Sequence, residues 1–128
     1  MKKIRQSYLD GEKLYRRWFE MGAGASAIRL QRWAVTEGML SPEGNVPSMM
    51  GVWKAMWRWA SLKENKDVAK ELFLDFVRNR EWRLKDLDLP WDGDPDELWR
   101  LFMLQKIETA WQFSPARKKR FLKENGWI

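Results

Sequence analysis

Cysteine and histidine are both missing from this 128-residue chain. Without cysteine there is no disulfide, no thiolate metal site and no sulfur nucleophile, and a reducing compartment suits the chain. Without histidine the commonest general base and metal ligand is gone, and with it Ser-His-Asp chemistry and the usual zinc hydrolases. No uncharged stretch approaches the roughly 20 apolar residues that a membrane helix requires. The phosphate-cradling patterns GxxxxGK and GxGxxG do not occur, since Gly22 and Gly24 are not followed by the rest of either. The opening residues 1–8 are basic but lack a following apolar core, so they do not read as a secretory leader. These absences lead to the expectation of a soluble, cytoplasmic, non-catalytic protein that needs no cofactor and no metal and does not engage a membrane.

What the chain has in excess is tryptophan and positive charge. There are ten tryptophans, and the formal net charge is +6. Residues 1–33 carry a net +5, residues 34–66 a net +1, residues 67–100 a net −4 and residues 101–128 a net +4. Positive ends around an acidic middle are expected when one face meets an anionic polymer and another does not. A solvated basic surface is the plainer alternative. The length matches one domain with enough core to fold unstapled.

Apolar spacing is helical nearly throughout, without strand alternation or internal repeat. The expected fold is all-α, a compact bundle of five or six helices in a single domain, with one group of helices over 7–62 and a second over 67–128. The first helix is placed at about 7–21, with Tyr8, Leu14, Tyr15, Trp18 and Phe19 on its apolar face. The second starts at Ser26 as N-cap, carries Ile28, Leu30, Trp33 and Ala34 near one side, and stops at Gly38. Residues 39–47, with two prolines and Gly44, form a loop. A third helix over 48–62 turns Trp53, Met56 and Ala60 inward. A fourth begins near Asp67, spaces Val68, Leu72, Phe73, Phe76 and Val77 as a stripe, and ends by about Trp82. Residues 86–97 are an acidic connector broken by prolines and Gly93, with Asp94 capping a fifth helix that runs to about Phe113 and buries Leu98, Leu101 and Phe102. The sixth has Ser114 as cap, Pro115 at its first position and Gly126 just past its end.

The order over 14–60, a helix, a second helix closing on Ala34 and Gly38 four apart, a turn and a basic third helix, resembles helix-turn-helix proteins. Within that class it is most similar to the homeodomain-like DNA-binding domains of phage type, including small terminase subunits. The likeness covers under half the chain. It departs from the pattern in its connector, 39–47, which exceeds the usual three or four residues, and in Glu37, which stands where an apolar residue is common. The resemblance implies a phage or mobile-element DNA-binding protein in which the third helix is the recognition helix, with Ser48 and Met49 nearest the base edges. It also implies that Arg16, Arg17, Arg29 and Arg32 position the phosphate backbone. Lys54 and Arg58, one turn apart on the third helix, suit phosphate or guanine.

Three further groups bear on function. Trp53, Trp57 and Trp59 cannot share one helical face, so at least one of Trp57 and Trp59 is expected outside, and an exposed Trp57 beside Arg58 would stack on a nucleobase or anchor a protein. Arg117, Lys118, Lys119, Arg120 and Lys123 cluster on the sixth helix and are expected to track phosphates. The acidic run from Asp86 invites a calcium reading, but counting from Asp92 puts Glu97 where an EF-hand loop needs glycine and Met103 where it needs glutamate, so capping and charge balance explain it better. The expected partner is DNA, with RNA left open. The alternative is a small interaction module, an inhibitor or assembly factor, that uses exposed Trp and Met to dock on a protein or on a second copy of itself.

Overall fold

Several of the helices begin where a short polar side chain meets the first orphan backbone N–H groups, and several end where glycine lets the chain turn left-handed. The computed structural model describes residues 8–79, 94–111 and 114–128. All regular structure among them is helical: α1 (Gly11–Glu20), α2 (Ala27–Thr36), α3 (Met49–Ser61), α4 (Lys66–Asn79), α5 (Pro95–Ala110) and α6 (Pro115–Glu124). No helix among the described residues is long and apolar enough to cross a membrane. The expected continuation of the fourth helix to Trp82, the acidic connector up to Gly93 and the end of the fifth helix at Phe113 lie outside the described residues.

Asp10 caps α1 by accepting from the Lys13 N–H at 3.1 Å, Ser26 caps α2 by accepting from Arg29, and Asp94 caps α5 by accepting from Asp96. The cap at Asp10 starts α1 four residues later than periodicity suggests, because Asp10 is extended (φ −93°, ψ 98°) and Tyr8 and Leu9 lie outside the helix. Tyr8 is therefore exposed rather than part of the α1 face. Ser114 occupies the cap position of α6, yet its hydroxyl makes no capping bond. At φ −142° and ψ 66° it contributes only its carbonyl, which accepts from Lys118 N–H at 2.9 Å.

The C-terminal ends of α2 and α6 share one device. Beyond α2, Met39 N–H returns to the Ala34 carbonyl (2.9 Å) and Gly38 N–H to Val35 (3.0 Å); beyond α6, Trp127 N–H returns to Leu122 (2.8 Å) and Gly126 N–H to Lys123 (3.4 Å). This Schellman geometry needs a left-handed residue before the returning one, and Gly38 (φ 79°) and Gly126 (φ 77°) supply it without a Cβ clash. In both cases the returning residue, Met39 or Trp127, is then buried.

The chain divides into two compact units, residues 1–56 and residues 57–128, with the boundary inside α3. In the first, α1 packs on α2. Leu14, Tyr15, Trp18 and Phe19 are buried, with edge-on ring contacts from Phe19 to both Tyr15 (4.9 Å) and Trp18 (5.1 Å). The Trp18 indole N–H donates to the Ala25 carbonyl at 3.0 Å, fixing the α1–α2 corner. Leu30 and Ala34 close the other side, whereas Ile28 faces solvent. Gln31 donates to the Pro47 carbonyl at 2.7 Å, tying the end of the long connector back to α2.

In the second unit α4 packs on α5 around Ala69, Phe73, Phe76, Leu98, Phe102, Met103 and Ile107. Phe73 and Phe102 lie 4.6 Å apart, and Trp57 meets Phe102 edge-on at 5.7 Å. Val68, expected on the α4 stripe, is exposed, and the stripe instead follows Ala69, Phe73 and Phe76. The inward residues at the end of α3 are Trp57, Ala60 and Ser61, while Trp53 is only half-buried.

Burial pushes the Tyr15 phenol well above its usual value of 10.0. Below about pH 10 the phenol is protonated in both folded and unfolded chains and contributes nothing to pH dependence. As pH rises further the unfolded chain releases this proton first, so stability falls. Burial lowers Lys66 and Lys106, which works the opposite way, because unfolded lysine keeps its proton up to about 10.5 and folding gains stability as that value is approached. The difference between wild type and Tyr15→Phe isolates the phenol. In urea denaturation from about pH 9 to about pH 11.5, the wild type is expected to lose more stability than the variant above pH 10. A difference independent of pH would show that Tyr15 titrates normally.

Candidate nucleic-acid interface

Most of the described cations fall into two kinds, those neutralised by a neighbouring carboxylate and those left facing solvent. On α1, Arg16 grips Glu12 through Nε (3.0 Å) and Nη2 (2.8 Å). Arg17 reaches Glu20 at 3.3 Å with its guanidinium 5.6 Å over the Trp33 ring, and its Nε is buried without an acceptor. Lys13 lies 3.9 Å from Glu37. In the second unit Lys70 pairs with Asp96, Arg100 with Glu97, and Lys118 with Glu108 at 2.6 Å.

Arg29, Arg32, Arg58, Arg117, Lys119, Arg120 and Lys123 are exposed, and none has an ion-pair partner among the described residues. Arg29 and Arg32 share the outer face of α2 because Leu30 and Ala34 turn the opposite side into the core. On α6, Phe121 and Leu122 are drawn partly inward, so Arg117, Lys119, Arg120 and Lys123 project from the far side beside a single acid, Glu124. Lys118, expected with them, instead turns back to Glu108 on α5 and is half-buried.

On α3 the expected site residues separate. Ser48 spends its hydroxyl as a cap, accepting from Gly51 N–H at 2.9 Å, and a Cβ at Gly51 would come within 2.9 Å of that oxygen. Met49 is exposed, Lys54 half-buried and Arg58 exposed one turn beyond it. Trp57 is fully buried, which removes it from the candidate interface; neither it nor the half-buried Trp59 lies fully outside. The error has a physical source, since α3 has apolar residues at 52, 53, 56, 57, 59 and 60, so periodicity alone names no inward face.

Sequence reasoning missed the aromatic setting of two lysines. The Lys106 ammonium lies 5.7 Å from the centre of Trp57 and 5.6 Å from that of Phe102, and burial there lowers its pKa. Lys66 sits 4.1 Å over Trp127. Phe102 and Lys106 stand one helical turn apart on α5, a spacing that could have been read locally, whereas Trp57–Lys106 and Lys66–Trp127 lie 49 and 61 positions apart and no local signal announces them. No known protein family, curated protein or solved structure was found to match the chain.

Proposed function

We propose that this chain is a non-catalytic nucleic-acid-binding protein that holds duplex DNA through exposed cations without an ion-pair partner among the described residues, Arg29, Arg32, Arg58, Arg117, Lys119, Arg120 and Lys123, acting by occupancy or assembly. The observation that carries this is selective neutralisation. Carboxylates satisfy Lys13, Arg16, Arg17, Lys70, Arg100 and Lys118, yet Arg29 and Arg32 on one helix, and Arg117, Lys119, Arg120 and Lys123 on another, are left in groups on solvent-facing sides. Grouped, unpaired guanidinium and ammonium ions fit a regularly spaced polyanion, because each phosphate they neutralise releases condensed counterions. A phage-type helix-turn-helix mode would use the first turn of α3 to read bases, with Met49 and the Ser48 backbone foremost. The left-handed Gly38 after Ala34 fits that motif, and the connector between α2 and α3, tied back by Gln31, replaces its short turn.

The test is a titration of random duplex DNA at several salt concentrations. Log affinity is expected to fall linearly with log salt, by about 0.9 for each phosphate engaged. Arg29→Ala with Arg32→Ala, and separately Lys119→Ala with Arg120→Ala, should each flatten that slope by up to about 2 without altering the circular dichroism spectrum. Affinity unchanged by salt removes DNA as the partner, and tighter binding to an RNA hairpin than to the duplex moves the proposal to RNA.

A docking role is favoured by a separate observation. Val46, Met49 and Met50, around the start of α3, are 58%, 46% and 39% exposed. Unbranched, polarisable methionine adapts to a partner surface. If a protein or a second copy of the chain docks there, Met49→Ser with Met50→Ser abolishes association, whereas salt-dependent phosphate binding survives the same change.

A further inference from the structure

Within the second unit an open cleft of about 220 Å³ lies where the start of α4, the start of α5 and the turn after α6 meet. Three cations line it, Lys66, Lys70 and Arg100, with Asp67 and Asp96 as the only acids among its lining residues. Its base includes the Trp127 ring, whose N–H points away to the Ser61 carbonyl at 2.8 Å, leaving the π face to Lys66. Lys66 has no carboxylate partner among the described residues. Lys70 and Arg100 are each engaged by one carboxylate at 3.2 Å among the described residues: Asp96, a lining residue whose side chain is 76% exposed, and Glu97, on the same helix as Arg100. Exposed pairs of this kind are worth little, so both cations are available to a stronger acceptor in the cleft they line.

We infer that this cleft binds a phosphate group, with Lys66 as the central contact and Lys70 and Arg100 closing on it from two sides. Three cationic donors lining one cleft match the several acceptor oxygens of phosphate. Gly126 borders the cleft, its α-carbon facing the Lys66 ammonium closely enough that an added Cβ would lie 3.4 Å from Nζ, in ordinary contact. Partial burial disfavours the charged Lys66, and a bound anion would offset that penalty. The site is independent of the duplex-binding proposal, because none of its residues is among the exposed cations of α2, α3 or α6 on which that proposal rests.

The test is a titration of inorganic phosphate into the isotopically labelled full chain at constant pH and ionic strength, following the Trp127 indole and Gly126 amide resonances. Saturable shifts of both are expected, with sodium chloride at equal ionic strength producing neither. Lys66→Met keeps an unbranched stem on the Trp127 ring and is expected to weaken binding by about tenfold or more, and Lys70→Gln with Arg100→Gln should do the same should the first variant not fold. Lys119→Ala with Arg120→Ala should leave phosphate affinity unchanged while weakening DNA. Shifts that never saturate, or an affinity untouched by all the cleft variants, would overturn the inference. Saturation with phosphate in a chain that ignores DNA would sink only the duplex proposal. A nucleoside 5′-monophosphate binding more tightly than inorganic phosphate would identify the source as a phosphorylated small molecule, and equal affinities would identify the free ion.

Discussion

Trp57→Ala is expected to cost about 3–5 kcal/mol of folding stability, the range for truncating a large buried aromatic. Trp57 is wholly inaccessible, meets Phe102 edge-on at 5.7 Å and lies 5.7 Å from the Lys106 ammonium. Alanine would remove the indole volume, the edge contact and one of the two rings over which Lys106 is held. Phe73, Trp99 and Phe102 form one connected set of rings with centroid distances between 4.6 and 6.3 Å, so the resulting cavity borders side chains already locked by one another. Such a site collapses poorly, which favours the upper part of the range. Small domains have only about 5–15 kcal/mol in total, so the midpoint in urea should shift visibly and the melting temperature should fall by on the order of 10–20 °C. Trp53→Ala, at a half-buried site on the preceding turn, should cost clearly less. Equal losses at the two positions would mean that the assigned inward face of α3 is wrong.

The second large effect is expected at Trp127, one residue from the C-terminus of the sequence. The last carbonyls of a helix have no partner within it, and Ser61 closes α3. Its carbonyl accepts from the Trp127 indole at 2.8 Å, and its hydroxyl donates to the Trp57 carbonyl at 2.6 Å. Beside this contact, the buried Asn125 accepts from Lys63 N–H at 3.0 Å and donates to the Phe121 carbonyl at 2.9 Å. The turn after α6 thus supplies polar partners to the α3–α4 corner across more than 60 positions of sequence. Trp127→Ala should lose about 3–5 kcal/mol. Trp127→Phe keeps most of the packing but strands a buried carbonyl, and should lose about 1–3 kcal/mol. Urea denaturation of both variants checks this, and a phenylalanine variant as stable as wild type would show that water reaches Ser61.

Where the sequence was legible, the governing interaction is short in range. Ser26 and Asp94 cap because a side-chain oxygen reaches an N–H two or three residues ahead, and Gly38 and Gly126 end helices because the next residue reaches back five. Pro95 and Pro115 begin helices because the first position needs no donor. Ser114 shows the limit of such reasoning, for it has the right type at the right place and its backbone angles deny its hydroxyl the bond.

The candidate interface was legible in part. Arg29 and Arg32, and most of the α6 cluster, lie outward as spacing suggests, because Leu30, Ala34, Phe121 and Leu122 define the opposite side. Lys118 does not, because Glu108, ten positions back on another helix, captures it. Tyr8, Ile28 and Val68 are apolar residues left in water, since no neighbouring element covers them among the described residues.

By itself, then, the sequence determined the all-helical character, most helix ends, the absence of cysteine and histidine chemistry and the excess of positive charge, all properties of composition or of contacts within about five residues. Tertiary structure alone decided that Trp57 and not Trp53 enters the core, that Lys13 meets Glu37 and Lys70 meets Asp96, and that Lys66, Lys70 and Arg100 share a cleft with Trp127. Those outcomes depend on partners tens of residues away, where geometry rather than spacing selects which side chain meets which.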